Sequence, residues 1–204
     1  GVGTGKTTII NTLLPMLRNK VRVCLLNNPK LNKHEFFHYL AKKLELRFSG
    51  NKSAFILEFS KLLQLCEKRG EKILLIIDEA QVFPVDLMEE VRLLSNHAGE
   101  RNVLSIFLIG QPELQETLAN PRLLPLRQRI GLHYHLPELT RKDTAQYISY
   151  RLNMAGAANP ALFTGEAIDI IHRASKGTPR LVNVICDHAL ISGFNLELNQ
   201  IDKD

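Results

Sequence analysis

Residues 73–81 read Ile73-Leu74-Leu75-Ile76-Ile77-Asp78-Glu79-Ala80-Gln81, an unbroken aliphatic run that ends in two acids. The run has the length of a strand and is too short for a helix. It shows no polar alternation, so it reads as a strand buried on both faces, the kind found in parallel sheets covered by helices. Ligands of such sheets bind outside the carboxyl ends of the strands. Asp78 and Glu79 therefore stand where chemistry is done. A strand end followed by an acidic helix cap gives the same letters in any α/β protein, so the reading depends on what else the chain carries.

Working outward, strand-like runs at 21–27, 103–109 and 130–136 alternate with helical patterns, which makes a parallel α/β core. Asn32 with Glu35 forms a capping box that opens a helix through Leu44. Phe55, Phe59, Leu62, Leu63 and Cys66 share one helical face, and Gly70 stops that helix. After Pro137 the strand signals vanish. Helical segments follow at 141–154, 165–174 and 179–193, the first opened by Thr140 with Asp143. The expected organisation is an α/β core over 1–138 and an all-helical lid over 139–204.

The chain begins Gly1-Val2-Gly3-Thr4-Gly5-Lys6-Thr7-Thr8. This carries the end of the phosphate-loop pattern G-x-x-x-x-G-K-[ST]. Gly3 and Gly5 permit backbone conformations closed to side chains, so successive N–H groups turn into one concavity and hold phosphate oxygens. The helix starting near Lys6 adds its positive end. Gly3, Thr4, Gly5, Lys6, Thr7 and Thr8 are the expected phosphate-binding set. Within it Lys6 reaches the β- and γ-phosphates, and the Thr7 hydroxyl ligates Mg²⁺. Asp78 would complete the metal shell, and Glu79 would polarise the attacking water as a general base. The pattern's first glycine falls one position before Gly1 and the strand that feeds such a loop is missing, so a trimmed fragment is expected. The third strand ends in Gly110-Gln111-Pro112-Glu113-Leu114, where Gln111 can orient the water or read the γ-phosphate.

Together, Val-Gly-Thr-Gly-Lys-Thr-Thr, Asp78-Glu79-Ala80-Gln81, Gly110-Gln111-Pro112-Glu113-Leu114, Leu126-Arg127-Gln128-Arg129-Ile130 and Gly177-Thr178-Pro179-Arg180 resemble the AAA+ ATPases related to general secretion pathway protein A. The transposition ATPases of the TniB type are a similar, more distant group. The resemblance runs from Gly1 to about Gly193. It implies a P-loop NTPase core with a helical lid, ATP and Mg²⁺ as ligands, and work done as a homo-oligomer on secretion or cell-envelope machinery in the cytoplasm, at the inner membrane through regions outside this sequence. It also implies Arg129, with Arg127 beside it, as the arginine finger and Arg180 as the lid sensor of the γ-phosphate. The alternative is an ATP-dependent DNA-binding adaptor of the transposition type.

Bulk properties constrain the partners. A net charge of +5 in 204 residues permits DNA, but the basic residues are dispersed rather than clustered, which favours an ordinary solvated surface. No apolar run approaches the ~20 residues of a spanning helix. Cys24, Cys66 and Cys186 lack metal spacing and are expected as buried thiols in a reducing compartment. His133 and His135 would share one face of a strand, more as half-buried packing than as a metal pair. Tyr147, Ile148 and Pro179 are candidates for adenine packing or plain core. Asn27-Asn28-Pro29 is expected as a turn, and Pro15 is expected to kink or end the first helix.

Overall fold

Strand β2 (Lys72–Ile77) is the middle of a parallel sheet ordered β1-β2-β3, flanked by β1 (Val21–Leu26) and β3 (Leu104–Leu108). Cys24 lies opposite Leu75, and Leu75 opposite Ile106. The computed structural model describes residues 3–17, 20–27, 30–99, 102–159 and 161–203. The chain divides into two units, Thr7–His133 and a second made of Tyr134–Asp204 with the opening loop.

The aliphatic run explains why β2 is central. Its side chains alternate between faces. Ile73, Leu75 and Ile77 enter the larger core, which includes Phe36, Phe55, Leu63 and Leu94. Leu74 and Ile76 face the other way, onto Ile10 of helix α1 (Lys6–Met16), with Leu14, Val23 and Ile109 around them. Both faces are apolar because both are covered. Pro15 lies inside α1, and the helix stops one residue later at Met16.

Helix α2 (Lys33–Lys43) starts at the Asn32–Glu35 capping box, with both reciprocal hydrogen bonds formed. Asn51 caps α3 (Lys52–Arg69) by accepting the Ala54 N–H at 2.7 Å, and Gly70 ends it in the left-handed conformation at φ 64°. All of the expected face, Phe55, Phe59, Leu62, Leu63 and Cys66, is buried. On α4 (Val85–Ala98) the buried carboxylate of Glu90 accepts from Lys33 at 3.2 Å and from Lys52. A buried charge survives only when paired, and here the pairing pins the starts of α2 and α3 to α4. Short helices α5 (Glu113–Leu118) and α6 (Leu124–Arg127) follow β3.

The expected fourth strand at 130–136 is not formed among the described residues: the segment has no ladder partner and no regular structure. Apolar alternation shows which face each side chain would take, but a strand also needs a neighbour for its N–H and C=O groups. Leu132 and Tyr134 are 83% and 80% exposed. His133 and His135 are likewise exposed, so their expected half-buried packing on a strand is incorrect. The Asn28-Pro29 part of the predicted turn lies outside the described residues, as do Gly1 and Val2.

The second unit holds α7 (Arg141–Met154), α8 (Gly165–Ser175) and α9 (Pro179–Asn195) around Ile148, Phe163, Ile171, Val182 and Ile201. Thr140 and Asp143 form the expected capping box. Gly177 stands just before α9 at φ 72°, and its carbonyl accepts the Leu139 N–H at 2.9 Å. A Cβ there would lie 2.0 Å from the Leu139 carbonyl oxygen, so only glycine fits. No helix among the described residues is long and apolar enough to cross a membrane.

Candidate active site

The carboxyl end of β2 is fixed by backbone bonds that continue the ladders beyond the strands. The Asp78 N–H donates to Leu26 at 2.9 Å, and the Ala80 N–H to Ile109 at 2.8 Å. Asp78 is thereby held largely buried, with Oδ1 accepting the Glu79 N–H at 3.0 Å. Its other oxygen lies 3.4 Å from Oγ1 of Thr7 on the first turn of α1. That separation is long for an O–H···O hydrogen bond. It also exceeds, by a few tenths of an ångström, the ~3.0 Å between adjacent ligands of an octahedral ion with bonds of ~2.1 Å, a gap that an ion or its bound water would close. Two hard oxygens brought together here, one of them an anionic carboxylate, are a donor set whose chemistry fits Mg²⁺ with its waters.

Glu79 has φ 53° and ψ 38°, a left-handed conformation costly for a residue with a Cβ. This bend turns the chain out of the strand into a short helical turn, Ala80–Val82, with Ala80 buried beneath it. As a result the side chain of Gln81 lies beside that of Glu79. Gln81 Nε2 donates to Glu79 Oε2 at 2.7 Å, and Gln111 Nε2 donates to the same oxygen at 3.1 Å. The Gln111 backbone N–H donates to Gln81 Oε1 at 3.1 Å. Three side chains from two strand ends, with the Gln111 backbone N–H, thus form one closed ring of hydrogen bonds. The sequence points to Glu79 and Gln111. It gives Gln81 no role, although an amide two residues beyond an acid at a strand end is a visible signal.

In the other unit, the Arg180 N–H at the start of α9 donates to the Gly3 carbonyl at 3.2 Å. Gly3 has φ 78° and Gly5 φ 93°, the region the loop was expected to need. A Cβ on Gly3 would meet the Arg180 Cβ at 2.6 Å. Thr4 is buried in the loop, and Lys6 begins α1. Thr8 is exposed on α1, where its carbonyl accepts the Thr12 hydroxyl at 2.9 Å. Arg127 and Arg129 are exposed at and after the end of α6, and neither side chain joins the Asp78–Glu79–Gln111 network. Ile148 is buried among the lid helices with Tyr147 packed against it, so both serve as core there.

Thiol chemistry has no place in this arrangement. Cys24, Cys66 and Cys186 are all free and buried. Burial pushes Cys24 and Cys186 up to about 11, and pushes Cys66 up as well. All three thiols stay protonated and inert at neutral pH.

Comparison with known proteins identifies the family and the fold. A family model described as an AAA domain matches residues 1–118. The chain is 39% identical over 197 residues to general secretion pathway protein A of Aeromonas hydrophila, a match covering 95% of this chain and 36% of that protein. Its fold resembles the crystal structure of Cdc6p from Pyrobaculum aerophilum, with a TM-score of 0.68 at 16% identity over 98% of this chain and 55% of that one. The ORC2 protein of Aeropyrum pernix is similar, with a TM-score of 0.63 at 15% identity over 100% of this chain and 57% of that one. The chain therefore spans about a third of the secretion relative and little more than half of the structural ones. The chain belongs to the AAA domain family and has the P-loop NTPase fold of the AAA+ type.

Proposed function

We propose that this chain is an ATPase, with its core through residue 138 and its lid from residue 139, that hydrolyses ATP to drive a conformational change in a homo-oligomer. Thr7 Oγ1 and Asp78 Oδ2, 3.4 Å apart, carry the reading. They would hold Mg²⁺, which when bound neutralises charge on the β- and γ-phosphates. The loop glycines Gly3 and Gly5, with Thr4 and Thr8, offer backbone and hydroxyl donors to the phosphates, and Lys6 supplies a cation to them. Glu79 takes a proton from the attacking water, and the Gln111 amide, donating to Glu79 Oε2 at 3.1 Å, helps fix the direction its carboxylate faces. Arg180 from the lid and Arg129 from a neighbouring copy supply positive charge where it is needed in the transition state.

The likeness to general secretion pathway protein A supports a partner in secretion or envelope machinery, with the chain acting on the cytoplasmic side. The deciding experiment compares Glu79→Gln with the parent chain. Binding of a fluorescent ATP analogue should be retained within about threefold, while phosphate release falls by about 10²–10⁴-fold. Equal turnover in the two proteins removes Glu79 from the mechanism.

A further inference from the structure

Gln81 is outside every role described for the phosphates and the metal pair, yet it touches both strand ends. Its side chain is the only member of the hydrogen-bonded ring, among the described residues, that both donates and accepts within it. The Nε2 end meets a carboxylate, and the Oε1 end meets the Gln111 N–H. The reversed amide would set oxygen against the Glu79 carboxylate and N–H against N–H. Its partners therefore fix one orientation of the amide. Gly110 leaves room for this placement, since a Cβ there would lie 2.7 Å from Gln81 Oε1.

The geometry points to Gln81 as a positioning residue that ties the water-activating carboxylate just beyond β2 to the γ-phosphate-reading amide just beyond β3. Gln81 does not reach the reacting atoms itself. It holds Glu79 Oε2 from one side while Gln111 holds it from the other, and its own oxygen anchors the backbone from which Gln111 projects. A shift of Gln111 when the triphosphate end of a nucleotide engages it is passed to Glu79 by two routes: directly through the Gln111 amide, and through Gln81. The base is thereby aligned only when the residue beside the γ-phosphate is in place. This inference rests on the reading of Glu79 as the base and of Gln111 as the residue that meets the γ-phosphate.

The test compares Gln81→Met and Gln81→Ala with the parent in the 204-residue chain. Methionine keeps the length and bulk of glutamine but neither donates strongly nor accepts well. If Gln81 positions Glu79, Gln81→Met lowers kcat by about 10–100-fold, the scale of a misplaced catalytic group. The KM for ATP, the affinity for a non-hydrolysable ATP analogue and the unfolding midpoint stay at parent values. Gln81→Ala behaves in the same way. A double-mutant cycle with Gln111→Ala is strongly non-additive, because both amides act on one oxygen.

If Gln81 only fills space, Gln81→Met has parent kcat, while Gln81→Ala loses stability and nucleotide affinity together. That result overturns the proposal. Glu79→Gln, assayed alongside, separates the two levels. An inactive Glu79→Gln beside a fully active Gln81→Met refutes the positioning role alone, whereas an active Glu79→Gln refutes the reading of the base.

Discussion

Substituting Gly177 by alanine tests how the lid helix that carries Arg180 is set in place. The new methyl would sit 2.0 Å from the Leu139 carbonyl oxygen and 3.0 Å from the Leu139 carbon and nitrogen, all backbone atoms. No rotamer change relieves that collision, so the Leu139 segment must move. Its hydrogen bond to the Gly177 carbonyl is then lost at a cost of about 1 kcal/mol. The positive φ adds about 1–2 kcal/mol for any residue with a Cβ. Together these give a destabilisation of about 2–3 kcal/mol before the entropy removed from the unfolded chain is subtracted. Gly156 is a built-in control, with a similar φ of 80° but nothing within 4 Å of an added Cβ. Gly156→Ala should cost only about 1 kcal/mol, the backbone component less the entropy removed from the unfolded chain. Urea unfolding of both variants, followed by the fluorescence of the four tyrosines and by far-UV circular dichroism, measures the difference. Equal midpoints for the two would refute the argument that the Leu139 contact makes glycine obligatory.

Other expectations follow from the same geometry. Gly3→Ala should weaken binding of an ATP analogue by about tenfold or more, because a Cβ there both strains the loop and meets the Arg180 Cβ at 2.6 Å; fluorescence anisotropy reads the loss, and parent affinity would contradict it. Removing either reciprocal capping residue, by Asn32→Ala or Thr140→Ala, should cost about 1 kcal/mol in denaturant unfolding. Cys24 and Cys186 favour the neutral thiol in the folded chain, with values of about 11 against 9.0 when unfolded. Their contribution to stability is complete below pH 9 and is lost as pH rises towards 11, so a Cys24→Val, Cys186→Val chain should show a flatter alkaline decline in calorimetry. Lastly, DNA titrated at low salt with ATP present should show no steeply salt-dependent binding; a steep salt slope would favour the adaptor alternative.

The parts of this protein legible in its sequence are those set by local rules. The β2 run announced a doubly covered strand because a five-residue aliphatic stretch has no other stable home. The Asn32–Glu35 and Thr140–Asp143 boxes gave helix starts because both reciprocal bonds lie within four residues. The parts that were illegible depend on distant partners. The period-2 pattern at 130–136 looked like a strand, yet pairing is a property of two segments, and one segment cannot reveal it. Gln81 is legible only in part: its place two residues beyond Glu79 is local, but its bond to Gln111 exists only when β2 and β3 lie in register. The pairing of Glu90 with Lys33 and Lys52 likewise joins residues 38 or more positions apart. Legible on one side only was the Gly3 conformation: its need for a positive φ was plain, but its contact with Arg180 was not.

The central claim is that Thr7 and Asp78 hold one divalent ion against the phosphates of one nucleotide. Calorimetric titration of a non-hydrolysable ATP analogue, with Mg²⁺ and then with chelator, measures this as the ratio of the two affinities. The parent chain should show a ratio of about tenfold or more. In Thr7→Val and Asp78→Ala the ratio should collapse towards unity. If both variants keep the parent ratio, the ion is held elsewhere and the assignment fails.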